Sequence, residues 1–565
     1  MPVFDSLFQL LNLRQNYRYG FPLFIVQVLF IGGISGNLIS QNPAVDLETN
    51  RKCGFPTVLQ AYASGNPDLQ KNLYPEAIHQ MEYDSVYYSP SGHFKIFYNT
   101  QGFNAIPDYD RNGNGTRDYL EFVANSFDRA WRVEIDTLGF LPPPDSTGNP
   151  RNIYPVYCRQ LSTYGVTYLD YEIPQLPDTN FVTSIEINID FSFVTYPQTT
   201  DPIVRDSMAI AVTAAHEFNH ALQCGYRLWP DGNGFFHDLW YIESSATFME
   251  EVVAPQVNDY LYYLDDYFSR TRRPFDESTG FLSDYGKVVL EIMLGTIYED
   301  RLVRLVWEDI RYNRALPALE NVLQSYQTDF TQELQRLALW LYFIRDRSVP
   351  FQYFPDALLF PEINFRAGEP IRINSSVLVS DALPGRSFQW YFSEATLSRN
   401  IQLKIETDSL FTQEFLSAMA VNSINGESYP ITTGQIVDLP FVVESPEFRY
   451  SVTNTDTLSA RLLSYEITGR LKSVPSVANA VVYPQPFKIS GQGAVLKFGN
   501  IEKGTTISVF NSNGIFIRQL VCRDESTIVN WDLRNSEGSM VGSGVYLYQV
   551  EKSDEKKIGK FVLIW

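Results

Sequence analysis

The sequence predicts a multidomain chain, with an α+β domain over residues 41–350 followed by all-β sandwich domains over 351–475 and 480–565. Three observations carry that prediction. At 565 residues the chain is too long for a single hydrophobic core. Helical periodicity recurs at about 119–137, 205–225, 239–268, 284–313 and 329–345, then fades after Pro350. Beyond that point short alternating runs take over, among them Ser387-Phe-Gln-Trp-Tyr-Phe392 and Ile401-Gln-Leu-Lys-Ile405, spaced by Gly, Pro, Asn and Asp. Hydrophobic residues at 44% and aromatic residues at 15% supply enough apolar surface for several cores, which excludes a mainly disordered chain.

The first element is an export signal. Arg14 and Arg18 precede an apolar run, Phe21 to Ile34, followed by small and polar residues up to Gln41. That order reads as a signal peptide over residues 1–40. A single membrane anchor is the alternative, but the run is shorter than the roughly 20 residues needed to span a bilayer, and nothing later in the chain is long enough to span. The mature chain is therefore expected to hold no stable transmembrane segment. Its 44 Lys and Arg against 65 Asp and Glu leave a formal charge of −21, which repels phosphate backbones and argues against nucleic acid as a partner. Cys53, Cys158, Cys224 and Cys522 show no CxxC or zinc-ligand spacing; an exported chain can pair some of them, and the sequence does not choose the pairs. No known switch motif surrounds Cys53, so a cysteine switch is not expected there. Whether residues 42 to about 90 form a removable pro-segment stays open at this level.

The second element runs from a strand, His93 to Tyr98, through a polar loop into the helix at about 119–137. The loop places Asp108, Asp110 and Asn112 at positions 1, 3 and 5 of an EF-hand-type segment, with Gly113 at 6. Asn114 and Asp118 extend the oxygen set, but Tyr119 stands where the closing Glu belongs; Glu121 is near enough to substitute. The expectation is a Ca²⁺ site. The competing reading is an Asx-rich turn that caps the next helix.

The motif that carries chemistry follows. Ala211-Val-Thr-Ala-Ala-His216-Glu217-Phe-Asn-His220-Ala-Leu-Gln contains HExxH in an uncharged, helix-favouring segment. On a helix, residues i and i+4 lie one above the other, so both imidazoles reach one zinc ion while Glu217 faces a metal-bound water as general base. With only five His in the chain, such a pair carries information. A catalytic zinc needs a third protein ligand and an open position. Glu243, in Trp240-Tyr-Ile-Glu243-Ser-Ser-Ala-Thr, is the candidate, with Glu250, Glu251 and His237 as fallbacks. No Gly and His follow at HExxHxxGxxH offsets, which argues against a three-His site.

His216-Glu-Phe-Asn-His220 followed by Glu243-Ser-Ser-Ala-Thr-Phe-Met-Glu250 resembles the gluzincin arrangement of zinc metallopeptidases. With Asp110-Arg-Asn-Gly-Asn-Gly-Thr-Arg-Asp118 and Leu138-Gly-Phe-Leu-Pro-Pro-Pro-Asp145 upstream, residues 50–345 more closely resemble a family of secreted bacterial metalloproteases first described from myxobacteria. The resemblance implies a zincin-like fold for the α+β domain, zinc held by His216, His220 and Glu243, and a protein or peptide substrate. Gluzincins also imply a Tyr or His that hydrogen-bonds the oxyanion. Tyr285, in Ser283-Asp-Tyr-Gly286, is the candidate for that role, although simple packing competes among 35 tyrosines.

The last element carries a second resemblance. Val482-Tyr-Pro-Gln-Pro-Phe487, Asn511-Ser-Asn-Gly514, Val529-Asn-Trp531-Asp532, Gly544-Val-Tyr-Leu-Tyr548 and Gly559-Lys-Phe-Val-Leu-Ile564 occur in that order. The segment is similar to the Ig-like C-terminal sorting domain of type IX secretion substrates, with Gln485 where Asn is usual. That resemblance implies secretion machinery as a partner and a secreted or cell-surface location. The function expected overall is a secreted zinc metallopeptidase. Its alternatives are an inactive zincin-fold adhesion or glycan-contacting surface protein, and a zinc hydrolase of a non-peptide bond.

Overall fold

The computed structural model describes residues 51–65, 83–174, 179–232, 235–278 and 282–372, and residues 374–564 apart from 395–400, 408–409, 422–426, 440–446, 459–460, 472–476, 489–493 and 524–527. The signal peptide at 1–40 lies outside the described residues. Two compact units divide the chain. One holds the residues up to Gly225 with Gly232–Phe235 and Val253–Val257; the other holds Tyr226–Asp231, Phe236–Val252 and Asn258 onward.

The first unit is built on a six-stranded sheet of β1 (Arg51–Cys53), β2 (Ser85–Tyr88), β3 (Phe94–Tyr98), β4 (Tyr154–Arg159), β5 (Thr163–Glu172) and β6 (Phe181–Asn188), in the order β1-β5-β6-β4-β3-β2. Strands β3, β4 and β6 run parallel, β5 is antiparallel to β6, and β1 pairs parallel to β5. All eight positions of β6 are buried, as expected of a strand covered on both faces. Helix α1 (Phe55–Ser64) follows β1 and buries Phe55, Val58, Leu59 and Ala61. Helix α2 (Asp118–Trp131) turns Tyr119, Val123, Phe127 and Ala130 to the core at helical spacing. It continues as a π-helical turn, Arg132–Thr137, which buries Glu134 completely.

Helix α3 (Pro202–Tyr226) carries HExxH. Asp201 caps it by accepting the Ile203 N–H at 3.0 Å, and Pro202 at the first helical position has no N–H to leave unmet. From Ala209 to Cys224 the helix is almost entirely buried, as its uncharged sequence requires. The Phe218 ring sits against Phe94, Trp131 and Tyr154 with centroids 5.2, 5.8 and 5.9 Å away. Contact with β5 is closer still. A Cβ on Gly165 would stand 2.8 Å from both Glu217 Cγ and Thr213 Cγ2, so only glycine permits this approach.

In the second unit α4 (Leu239–Val253) is followed by further helices up to Trp340. Strands then dominate: β7 (Phe365–Ala367), β8 (Ser376–Pro384), β9 (Ser387–Glu394), β10 (Ile401–Thr407), β11 (Leu416–Val421), β12 (Ser428–Thr432), β13 (Ile436–Leu439), β14 (Glu447–Asn454) and β15 (Leu462–Leu471). They form sheets β13-β10-β15-β8 and β12-β11-β14-β9-β7 around one core that includes Leu378, Tyr391, Leu403, Tyr450 and Ile467. The last strands are β16 (Val481–Tyr483), β17 (Phe487–Lys488), β18 (Leu496–Gly499), β19 (Thr506–Asn511), β20 (Phe516–Val521), β21 (Ile528–Trp531), β22 (Gly544–Lys552) and β23 (Glu555–Ile564). Their sheets, β16-β18-β21 and β17-β23-β22-β19-β20, enclose Phe498, Val509, Trp531, Val550 and Phe561. The chain is thus multidomain, with a mixed α/β N-terminal region and β-sheets in the C-terminal part. Among the described residues no helix is long and apolar enough to cross a membrane.

The close contact of α3 with β5 is directly testable. Gly165→Ala is expected to cost about 1–3 kcal/mol through overpacking, read by calorimetry as a lower Tm. An unchanged Tm would show that α3 stands off from the strand.

Candidate metal centre

The two motif imidazoles meet on the buried face of α3. His216 Nε2 and His220 Nε2 lie 3.0 Å apart with their rings at 89°, and both side chains are shut off from solvent. The second ring nitrogen of His220 is held by a polar relay. Gln223 Oε1 lies 2.8 Å from His220 Nδ1, Gln223 Nε2 donates to Asn219 Oδ1 at 2.7 Å, and Asn219 Nδ2 donates to Glu134 Oε2 at 2.9 Å. Because the Gln223 amide spends its N–H on Asn219, its oxygen faces His220 and takes the proton of Nδ1. The Nε2 lone pair is thereby left pointing at the site. Burial pushes the Glu134 carboxyl well above the usual carboxylate range, with the Asn219 hydrogen bond and the nearby His216 pulling it partly back.

Glu217 is fixed by the sheet. The Thr167 hydroxyl, on β5, lies 2.7 Å from Glu217 Oε2 and 2.9 Å from the Glu217 carbonyl oxygen. Neither Thr167 nor the Gln223–Asn219–Glu134 relay was singled out from sequence. A threonine in a strand matches the ordinary β preference, and Glu134 turns inward through a π-helical turn that no periodicity announces.

Within the first unit Cys53, His216 and His220 form a buried group that can hold a metal ion, their ligand atoms all within 4.8 Å of one another. His216, His220 and Glu243 are the three expected ligands. Cys53 is the addition, which its sequence surroundings do not announce. Parallel pairing opposes Cys53 to Gly165, and the Gly54 N–H donates to the Gly165 carbonyl at 3.0 Å. The Phe55 N–H donates to Cys53 Sγ at 3.3 Å, and the Phe55 ring stacks on His220 with centroids 4.4 Å apart. None of the four cysteines forms a disulfide. Glu250, Glu251 and His237 do not belong to the group. Tyr285, on the short helix Leu282–Gly286, packs its ring 5.4 Å from that of Tyr263 in the second unit.

The acidic loop folds around its own backbone. Asp110 accepts from the N–H groups of Gly113, Asn114 and Gly115 at 2.7–3.2 Å. Asn112 and Asn114 each accept one N–H and donate their amides to the two oxygens of Glu121 at 2.8 and 2.7 Å. Asp118 accepts from Arg111 N–H at 3.0 Å; Asp108 precedes this turn. The same oxygens serve an Asx turn or a Ca²⁺ ion, so the two are told apart by cation dependence. Asp110→Ala is expected to lower stability by about 1–2 kcal/mol through its lost N–H partners whether or not Ca²⁺ is present. A Ca²⁺-dependent rise in Tm that vanishes in Asp108→Ala/Asp110→Ala would assign the cation.

No family model matches the chain, and no curated protein does. Solved structures share limited stretches with it. PorZ, a surface component of the type-IX secretion system of Porphyromonas gingivalis, is 20% identical over 26% of this chain and 16% of its own, with a TM-score of 0.15. Dimeric latent PorU from the same organism is 14% identical over 35% of this chain and 19% of its own, TM-score 0.15. The adhesin domain of Epf from Streptococcus pyogenes is 8% identical over 34% of this chain and 79% of its own, TM-score 0.13. The chain thus spans less than two thirds of PorZ and PorU, and at these TM-scores the likenesses define neither its fold nor its activity.

Proposed function

We propose that the protein is an exported zinc-dependent peptidase. The observation that carries this reading is Glu217, held by Thr167 beside two buried imidazoles whose nitrogens converge. Imidazole nitrogens with a carboxylate and a thiol make a borderline-soft donor set that suits zinc, whereas calcium and magnesium favour oxygen ligands throughout. His216, His220 and Glu243 would hold the ion. Bound there, zinc supplies a Lewis acid for a scissile carbonyl and makes water more acidic. Glu217 takes a proton from the attacking water and passes it to the departing amine, while Thr167 keeps the carboxylate from rotating away. The Gln223–Asn219–Glu134 relay keeps the His220 ring in its binding orientation. With β1 displaced, β5, the strand that lies next to Glu217, would offer an extended peptide main-chain partners. Tyr285 is carried forward as the proposed oxyanion donor.

Two substitutions test the reading on protein recovered from the culture medium. His216→Ala should lose zinc by elemental analysis. Glu217→Gln should keep zinc and fold while peptide hydrolysis falls by about 100- to 10,000-fold. Full zinc without any cleavage of a broad peptide library, in every form of the chain, would leave an adhesion protein or a non-peptide hydrolase instead.

Export rests on the terminal segment that is similar to type IX sorting domains. In a host with that secretion system, truncation after residue 478 should retain the protein in the periplasm with its zinc. Wild-type amounts of truncated protein outside the cell would make the module an accessory domain.

A further inference from the structure

We infer that Cys53 is a fourth ligand at the metal centre and that the segment carrying it, Arg51–Ser64, holds the enzyme in a self-blocked form. The inference rests on the peptidase reading and adds regulation to it. Three independent observations converge within the first unit. The Cys53 sulfur lies with the nitrogens of His216 and His220 inside the ligand group. A zinc with three protein ligands keeps one position for water or substrate, and a fourth protein ligand closes it. The backbone around that sulfur occupies the strand edge that an extended substrate would use. β1 pairs with β5 at Arg51 opposite Thr163 and Cys53 opposite Gly165, directly beside the glycine that faces Glu217. Helix α1 then lies along the same strand, and the Tyr62 hydroxyl donates to Glu172 Oε2, at the far end of β5, at 3.0 Å. Sulfur and strand thus exclude water and peptide together.

The attachment is built to be detachable. β1 is three residues long and joins β5 in the parallel sense, the weaker pairing per residue. Its hold comes from Phe55, buried against His220, and from the apolar face of α1. When the sulfur binds the metal, the thiol releases its proton to solvent; when it leaves, a water or a substrate carbonyl takes its place, with no change of oxidation state. Losing the segment frees the strand edge and the metal position at once. A permanently closed, structural site is the opposite reading of the same four residues, and the two differ in what removal of the sulfur does.

The test uses the full chain without its signal peptide, loaded with Co²⁺ in place of zinc. The unsubstituted chain should show a thiolate-to-cobalt charge-transfer band, and Cys53→Ala should lose that band while retaining one equivalent of cobalt. Acetohydroxamate, a small metal-binding probe, should perturb the visible spectrum of Cys53→Ala at about 100-fold lower concentration than it needs for the unsubstituted chain. Absence of the charge-transfer band in the unsubstituted chain overturns the inference without any variant having to fold. Loss of cobalt from Cys53→Ala, or equal response of both proteins to hydroxamate, overturns it in favour of a structural site. Should Cys53→Ala misfold, Cys53→Ser supplies the same comparison. Zinc-loaded Cys53→Ala is then assayed on the peptide library. If every spectral criterion is met and no peptide is cut, the blocked position stands and the peptidase reading is what falls.

Discussion

Everything at the candidate metal centre depends on how closely α3 can lie against β5, and that distance is set by the missing side chain of Gly165. One carbon there would push away Glu217 and Thr213 together. With hydrogen in its place, the helix comes near enough for Thr167, two residues along the same strand and therefore on the same face, to reach both the carboxylate and the carbonyl of Glu217. The HExxH helix and the strand thereby share one close-packed face.

Such an interior is costly to build, because polar groups give up water to enter it. The cost is contained by closing the hydrogen bonds in series. His220 is answered by Gln223, Gln223 by Asn219, and Asn219 by Glu134. The chain ends in a fully buried carboxyl whose affinity for a proton is raised by that burial, so the terminus need not be a naked charge. A π-helical turn supplies it. The extra residue in that turn rotates Glu134 inward at the end of a helix that otherwise presents apolar residues to the core.

How much of this could be read from sequence follows from how local each feature is. HExxH is legible because a single helix brings its residues together, although α3 begins at Pro202, three residues before the periodicity places it. The strands after Pro350 announce themselves by alternation. Glu243 rests on spacing and context alone, on a helix of the second unit. Cys53 does not announce itself at all. It reaches the histidines through a three-residue parallel pairing with a strand more than one hundred residues away, and nothing near it in the sequence records that partner. The loop from Asp108 to Asp118 is ambiguous for another reason, since the oxygens that bind a cation are the same oxygens that satisfy a tight turn.

The place of β1 in the sheet has a consequence for solubility. Without it β5 becomes the outermost strand on that side, a long strand that presents unpaired N–H and C=O groups along its rim. An open rim of this kind accepts an extended chain, the exposed strand of a neighbouring copy included. With β1 in place that part of the edge is covered. Once the edge is bare, self-association becomes concentration-dependent, and dilution would favour single copies over paired ones.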